Sequence, residues 1–151
     1  MHEEAKLHIR PYHEHDREAV VDLWKSCGLV VPHNDPWRDI ERKCRVNPEW
    51  FLVGVLADNL VASCMAGYEG HRGWINYLAV SPDKQRKGIA TQLMRRAEAL
   101  LINAGCPKIN LQVRETNPAV IAFYERLGFT DDRVISMGKL LKQRPGRSMI
   151  C

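Results

Sequence analysis

With 151 residues, 45% of them apolar and 26% charged, the chain has the make-up of one globular domain, which excludes two independent cores or a wholly disordered protein. No uncharged run approaches the ~18 residues of a membrane span, and the start Met1-His2-Glu3-Glu4-Ala5-Lys6 has no apolar signal region, so a soluble, cytoplasmic protein is expected. A net charge of +4 is too small to imply nucleic acid, and five widely spaced cysteines without a C-x-x-C pair suggest neither a zinc site nor a disulfide framework.

In chain order, residues 6–11 suit a short first strand. Asp16 is a candidate N-cap for a helix that buries Val20, Leu23, Trp24 and Cys27 and stops at Gly28. His13 and His15 lie close together, but without nearby cysteines they read as surface residues at a helix start, and no metal is expected. A loop over 29–34 leads to Asp35-Pro36, a cap followed by proline at the first helical position, for a second helix to about Val46. Residues 51–56 form a continuous apolar strand, Asp58-Asn59 a two-residue turn, and 60–69 the returning strand. After the turn Gly70-His71-Arg72-Gly73, residues 74–80 complete an antiparallel meander that Ser81-Pro82 ends.

The strongest helix follows, with Ile89, Leu93, Met94, Ala97, Leu100, Leu101 and Ala104 on one face and Gly105 and Pro107 as its stop. Residues 109–114 alternate apolar and polar, the period of a half-buried strand. Asn117-Pro118 opens a helix carrying Val120, Phe123, Tyr124 and Leu127 on one face and ending at Gly128. Residues 129–141 supply the last strand or strands, and 142–151 is a basic tail without periodicity. The order β-α-α-β-β-β-α-β-α-β predicts a single α/β domain over 1–151, its core about 7–141. Its mixed sheet is antiparallel first and parallel around the long helix.

Charge is unevenly placed. Between Asp83 and Lys108 six basic residues (Lys84, Arg86, Lys87, Arg95, Arg96, Lys108) stand against Asp83 and Glu98, a surplus equal to that of the whole chain. A solvated helix face explains such a run as readily as a site for a small polyanion. Its position matters more: a strand runs into the loop Ser81-Pro82-Asp83-Lys84-Gln85-Arg86-Lys87-Gly88, and the loop opens the long helix. Free amides at a helix start bind phosphate, Gly88 lets the backbone approach it, small Ala90 keeps it open, and Arg86 and Lys87 add charge.

Gln85-x-x-Gly88-x-Ala90 after Leu78-Ala79-Val80 resembles motif A, Q/R-x-x-G-x-G/A, of the GNAT superfamily of acetyl-CoA-dependent N-acetyltransferases. A second segment, from Asn117 through Tyr124 to Gly128-Phe129, resembles that family's N-x-x-A-x-x-x-Y-x-x-x-G-F, with Val120 where many members have alanine. The turn Gly67-Tyr68-Glu69-Gly70-His71-Arg72-Gly73, Asn34-Asp35-Pro36 and Gly105-Cys106-Pro107-Lys108-Ile109 are further similar to the small YpeA-type bacterial subgroup. The resemblance implies that strands 74–80 and 109–114 splay apart and admit pantetheine as a pseudo-strand. Backbone groups of Leu78, Ala79 and Val80 would meet it, and Gln85, Arg86, Lys87, Gly88, Ile89, Ala90 and Thr91 would form the pyrophosphate cradle. Asn117 would touch the pantetheine arm, and Tyr124 would point its hydroxyl at the sulfur, where a phenol can protonate a leaving thiolate.

The acceptor implied is a primary amine, on a small molecule or a peptide or protein N-terminus, and it must lose a proton before attack. In the branch that acetylates ribosomal-protein N-termini a glutamate stands where this chain has Gln112, which cannot act as a base. Glu69 is the best remaining carboxylate and reads equally well as a solvated turn residue; Glu115 is weaker, and bulk water is the other proton acceptor. Cys64 and Cys106 read as buried small residues rather than nucleophiles. Two other readings stand beside the enzyme: a non-catalytic acyl-CoA-binding regulatory module, and a tRNA-directed acetyltransferase using Lys139, Lys142, Arg144 and Arg147, which lack an aromatic platform. Acceptor, pathway and oligomeric state, monomer or homodimer, stay open.

Overall fold

In the computed structural model, which describes residues 5–142, the strands His8–Pro11 (β1), Phe51–Leu56 (β2), Asn59–Tyr68 (β3), Gly73–Val80 (β4) and Ile109–Asn110 (β5) form one sheet in that spatial order. The first three junctions are antiparallel and β4–β5 is parallel. Helices Arg17–Ser26 (α1), Pro36–Lys43 (α2), Ile89–Asn103 (α3) and Pro118–Arg126 (α4) complete the α/β fold. The chain divides into two compact units, one reaching Asn110 and the other starting at Leu111.

In the first unit the sheet is buried on two faces. Val20, Val21, Leu23 and Trp24 of α1 and Ile40 of α2 join Tyr12, Phe51, Val53, Met65 and Ala79 in one core. Ile89, Leu93, Met94, Ala97 and Leu101 of α3 are also buried, and a Cβ on Gly54 would meet Leu93 at 3.4 Å and Ala62 at 3.1 Å, which puts α3 on the opposite face. Each fully buried large side chain contributes ~1.5–3 kcal/mol of transfer free energy. Ala104, expected on that buried face, is the exposed C-cap of α3.

Local chemistry decides the helix ends. The Asp35 carboxylate accepts from the amides of Trp37 (3.0 Å) and Arg38 (3.4 Å), with Pro36 at the first position. Helix α2 stops at Lys43 instead of Val46, because the amides of Arg45 and Val46 reach back three residues to Arg42 and Lys43 and tighten the last turn. Asp16 stands at the N-cap position of α1, but its side chain bonds none of the helix amides. A 3-10 turn, Glu14–Asp16, precedes the helix, and the carboxylate accepts from Arg10 (2.7 and 2.9 Å) and the His13 amide (2.8 Å).

Three strand expectations are corrected. The β2–β3 turn is Ala57-Asp58, both at positive φ (47° and 64°), as a type I′ hairpin requires. Register and a bulge set this: Val53 pairs with Ser63, both facing α1, and the ladder then shifts between Gly54 and Val55 so that Leu56 pairs with Asn59 across the turn. Strand β5 ends at Asn110 rather than Arg114, since its ladder with β4 covers only Gly73↔Ile109 and Trp74↔Asn110 before the kink in β4 described below. No strand forms over 129–142. There Asp131 accepts from the Arg133 amide (2.7 Å) in an Asx turn, and Val134, Ile135, Met137, Leu140 and Leu141 are exposed. The basic tail lies, from residue 143 onward, outside the described residues.

In the second unit α4 begins as expected, with Asn117 Oδ1 accepting from the Val120 amide (3.4 Å) and Pro118 at the first position. It ends in a Schellman motif: Gly128 at φ +94° donates to Glu125, and Phe129 donates to Tyr124. The usual accompanying hydrophobic contact is the edge-on packing of Phe129 on Tyr124, centroids 5.5 Å apart.

Candidate functional site

The site is built on β4. Up to Asn76 the strand alternates regularly, with Ile75 opposite Ala66 on the α3 face and Asn76 opposite Met65. The register then shifts, Ala79 pairs with Ser63, and Ala79 faces the α1 core. Two residues, Tyr77 and Leu78, absorb this change of phase in a β-bulge. Tyr77 adopts φ +51°, a left-handed conformation that costs a bulky residue on the order of 1–3 kcal/mol.

Three contacts hold it there. Its ring stacks on Trp24 (3.8 Å, 13°), its hydroxyl donates to Asp39 Oδ2 (2.5 Å), and its carbonyl accepts from Ser63 Oγ (2.8 Å). Ser63 Oγ in turn accepts from Trp24 Nε1 (2.9 Å). Burial and the Asp39 carboxylate both push the Tyr77 phenol far above its ordinary pKa, so it stays a donor. In a planar trans peptide C=O and N–H point opposite ways, so with the Tyr77 carbonyl turned to the Ser63 hydroxyl the Leu78 N–H is turned away from that hydroxyl. Past Trp74, β5 no longer pairs with β4.

The loop after β4 is folded back on the strand. The Ser81 amide donates to Val61 (2.7 Å), Ser81 Oγ to Asp83 Oδ1 (2.6 Å), and Gln85 Nε2 to the Val80 carbonyl (3.2 Å). Cys27 Sγ also donates to that carbonyl (3.3 Å), so the Val80 oxygen already has two partners. Burial raises the Cys27 thiol, which suits a packing group rather than a nucleophile. Positive φ at Arg86 (64°) and Gly88 (77°) bends the chain into the start of α3, where no side chain caps the helix. A Cβ built on Gly88 would meet open space, and Arg86 and Lys87 are exposed. Open space over a glycine, uncapped helix-start amides and two cations fit a diphosphate.

Glu69 closes the β3–β4 turn. Its Oε1 accepts from the amides of His71 (3.1 Å) and Arg72 (2.5 Å), and its Oε2 from Trp74 Nε1 (3.1 Å). The Arg72 amide above all, with the His71 amide and the indole, holds this exposed carboxyl below its ordinary range and keeps it ionised at neutral pH. A carboxylate offers about four lone-pair positions, so Oε2 retains capacity for one more donor.

In the second unit Tyr124 is half-buried, edge-on to Phe123 (5.0 Å) as well as Phe129. The Asn117 oxygen serves the helix cap, and Gln112 Nε2 donates to Ser136 Oγ. Among the described residues no group of three or more His, Cys, Asp or Glu side chains could hold a metal, and no helix is long and apolar enough to cross a membrane. The residues that sequence reasoning passed over are Tyr77 and Asp39. The available signal was a broken alternation: Ile75-Asn76 obeys period two, whereas Tyr77-Leu78-Ala79-Val80 is apolar throughout.

The acetyltransferase (GNAT) family model matches residues 17–129. Acetyltransferases of Pectobacterium atrosepticum and Sodalis glossinidius are each 48% identical to this chain over 135 and 136 residues, covering 89% of it and 96% of either relative. Among solved structures, the aminoglycoside N-acetyltransferase AAC(6')-Iy in complex with CoA is similar at TM-score 0.75 and 18% identity, over 92% of this chain and 98% of its own. Ard1 from Thermoplasma volcanium is similar at TM-score 0.71 and 22% identity, over 82% of each chain. At these identities the solved structures show a shared fold.

Proposed function

We propose, from the premise that this chain belongs to the acetyltransferase (GNAT) family, that it moves the acetyl group of acetyl-CoA to a primary amine by direct attack within a ternary complex. The observation that carries the reading is that β5 pairs with β4 only at Gly73 and Trp74, while β4 leads into an uncapped helix start with open space above Gly88. Acetyl-CoA supplies an electrophilic thioester carbonyl and a thiolate leaving group. The Leu78 N–H, turned away from the Ser63 hydroxyl, donates to the pantetheine side, with Ala79 beside it. Val80 acts through Gln85, which fastens the loop to the strand. Amides from Arg86 and Lys87 through Gly88, Ile89, Ala90 and Thr91 cradle the pyrophosphate, and both cations neutralise it.

Tyr124 donates its phenolic proton to the departing sulfur, and Asn117 contacts the pantetheine arm. Glu69 receives the amine's proton at Oε2, directly or through water, while its other bonds shape the turn that faces the acceptor. The acceptor is a small amine or a peptide N-terminus, selected by residues 31–37 and the 68–73 turn. The setting proposed is the cytoplasm.

The test is CoA release measured with acetyl-CoA and a panel of N-terminal peptides, polyamines, amino acids and aminoacyl-tRNA, with mass spectrometry of the products. Acetylated amine in any arm supports the enzyme. Tight CoA binding without turnover on every acceptor would replace it with a regulatory acyl-CoA-binding module, the reading that Gln112 in place of a glutamate favours.

A further inference from the structure

Stacking on Trp24 needs only the ring of Tyr77, and a phenylalanine in an ordinary extended strand would satisfy the core. The hydroxyl instead reaches across to Asp39 on α2, 38 residues away in sequence, while the backbone takes a conformation that bulky side chains avoid. Asp39 is itself fixed, since its Oδ1 accepts from Arg42 (3.1 Å). Ring, hydroxyl and carbonyl of one residue are thus restrained by three elements, α1, α2 and β3. Restraint of this kind is what keeps a strained backbone from relaxing.

We propose that Tyr77 is a positioning residue: its hydroxyl, bonded to Asp39, locks the β4 bulge so that the Leu78 N–H faces the acyl-CoA site, tying α2 to the cofactor strand. This rests on the acyl-CoA reading above. With the hydroxyl bond gone, the ring stays on Trp24 and the carbonyl keeps Ser63, but the strained 77–78 peptide loses its tie to α2 and is held less firmly in that direction. Helix α2 follows the loop assigned to acceptor choice, so the same bond carries any shift of α2 into the orientation of the Leu78 amide.

The experiment is amide NMR of the 15N-labelled full chain titrated with CoA, comparing the natural sequence with Tyr77→Phe, Asp39→Ala and Asp39→Asn. In the natural chain saturation should move the Leu78 amide and the amides of residues 86–91. In Tyr77→Phe and Asp39→Ala the cradle amides should move as before, with CoA affinity within about twofold, while most of the Leu78 shift is lost. Asp39→Asn keeps an oxygen for the phenol and should restore it. A Leu78 response unchanged in both Tyr77→Phe and Asp39→Ala would overturn the positioning role, as would Asp39→Asn behaving like Asp39→Ala. Loss of dispersed spectra in both disruptive variants would make the contact a fold requirement and also overturn it. If no amide from 86 to 91 responds in the natural chain, the acyl-CoA reading itself is wrong and takes the proposal with it.

Discussion

A half-buried phenol at the end of a helix can serve packing or proton transfer, and Tyr124→Phe separates the two. The ring keeps both edge-on contacts and the Schellman bond through its backbone carbonyl. If the hydroxyl assists thiolate departure, kcat should fall by roughly 10²-fold with acetyl-CoA affinity nearly unchanged; turnover equal to the natural chain would leave only packing. At Glu69 the discriminating quantity is pH. Glu69→Gln keeps the size of the side chain and an oxygen for the turn amides, gives up the acceptor for Trp74 Nε1, and cannot take a proton. The loss in kcat/KM should therefore be greatest at low pH, where the acceptor is an ammonium, and shrink toward the acceptor's own pKa. A loss that is constant with pH would assign Glu69 to holding the substrate's charge, and no loss would return it to the turn alone.

Elements whose ends are governed by their immediate neighbours were legible in the sequence. Asp35-Pro36, Asn117-Pro118 and Gly128 each act within a few residues of themselves, and the structure uses them so. The β4 bulge was not, because its causes, Trp24, Ser63 and Asp39, are distant in sequence and meet Tyr77 only once helices and sheet are packed. Asp16 illustrates the same limit: its residue type suggests a cap, but Arg10 on the neighbouring strand claims the carboxylate. That tie joins β1 to the 3-10 turn before α1 and carries a prediction. Burial works against the Asp16 charge, yet the Arg10 guanidinium and His13 amide outweigh it and hold the carboxyl below its usual value of 3.8. A depressed folded pKa stabilises above the unfolded value and is lost as pH falls through the folded one. Melting temperature should therefore drop from pH 5 toward pH 3 less steeply in Asp16→Asn than in the natural chain. At neutral pH Asp16→Asn should cost about 1.5–3 kcal/mol, the usual value of charged hydrogen bonds. Parallel acid profiles would mean that other carboxylates govern acid unfolding.

For the molecule as a whole, stability and ligand binding are linked, which allows the cofactor site to be tested without knowing the acceptor. A ligand that binds only the folded chain adds about 2.7 kcal/mol at a hundred times its Kd. For a chain of this length that raises Tm by roughly 5–11 °C. Gly88→Val adds a branched side chain at φ +77°, so the variant melts lower by its own backbone strain. The meaningful quantity is the increment that CoA adds. A Cβ on Gly88 meets nothing within 4 Å, and on the proposed cradle the new side chain would occupy the space assigned to the pyrophosphate. The increment should nearly vanish in Gly88→Val. In the natural chain it should shrink as salt is raised from about 50 to 500 mM, because Arg86 and Lys87 are exposed and their attraction to phosphate is screened. Arg86→Ala should keep most of the increment and lose part of its salt dependence, since backbone amides supply most of the donors. A full CoA increment in folded Gly88→Val would place the phosphates elsewhere on the molecule. An increment insensitive to salt would mean that exposed cations contribute little, and that the helix-start amides carry the anion alone.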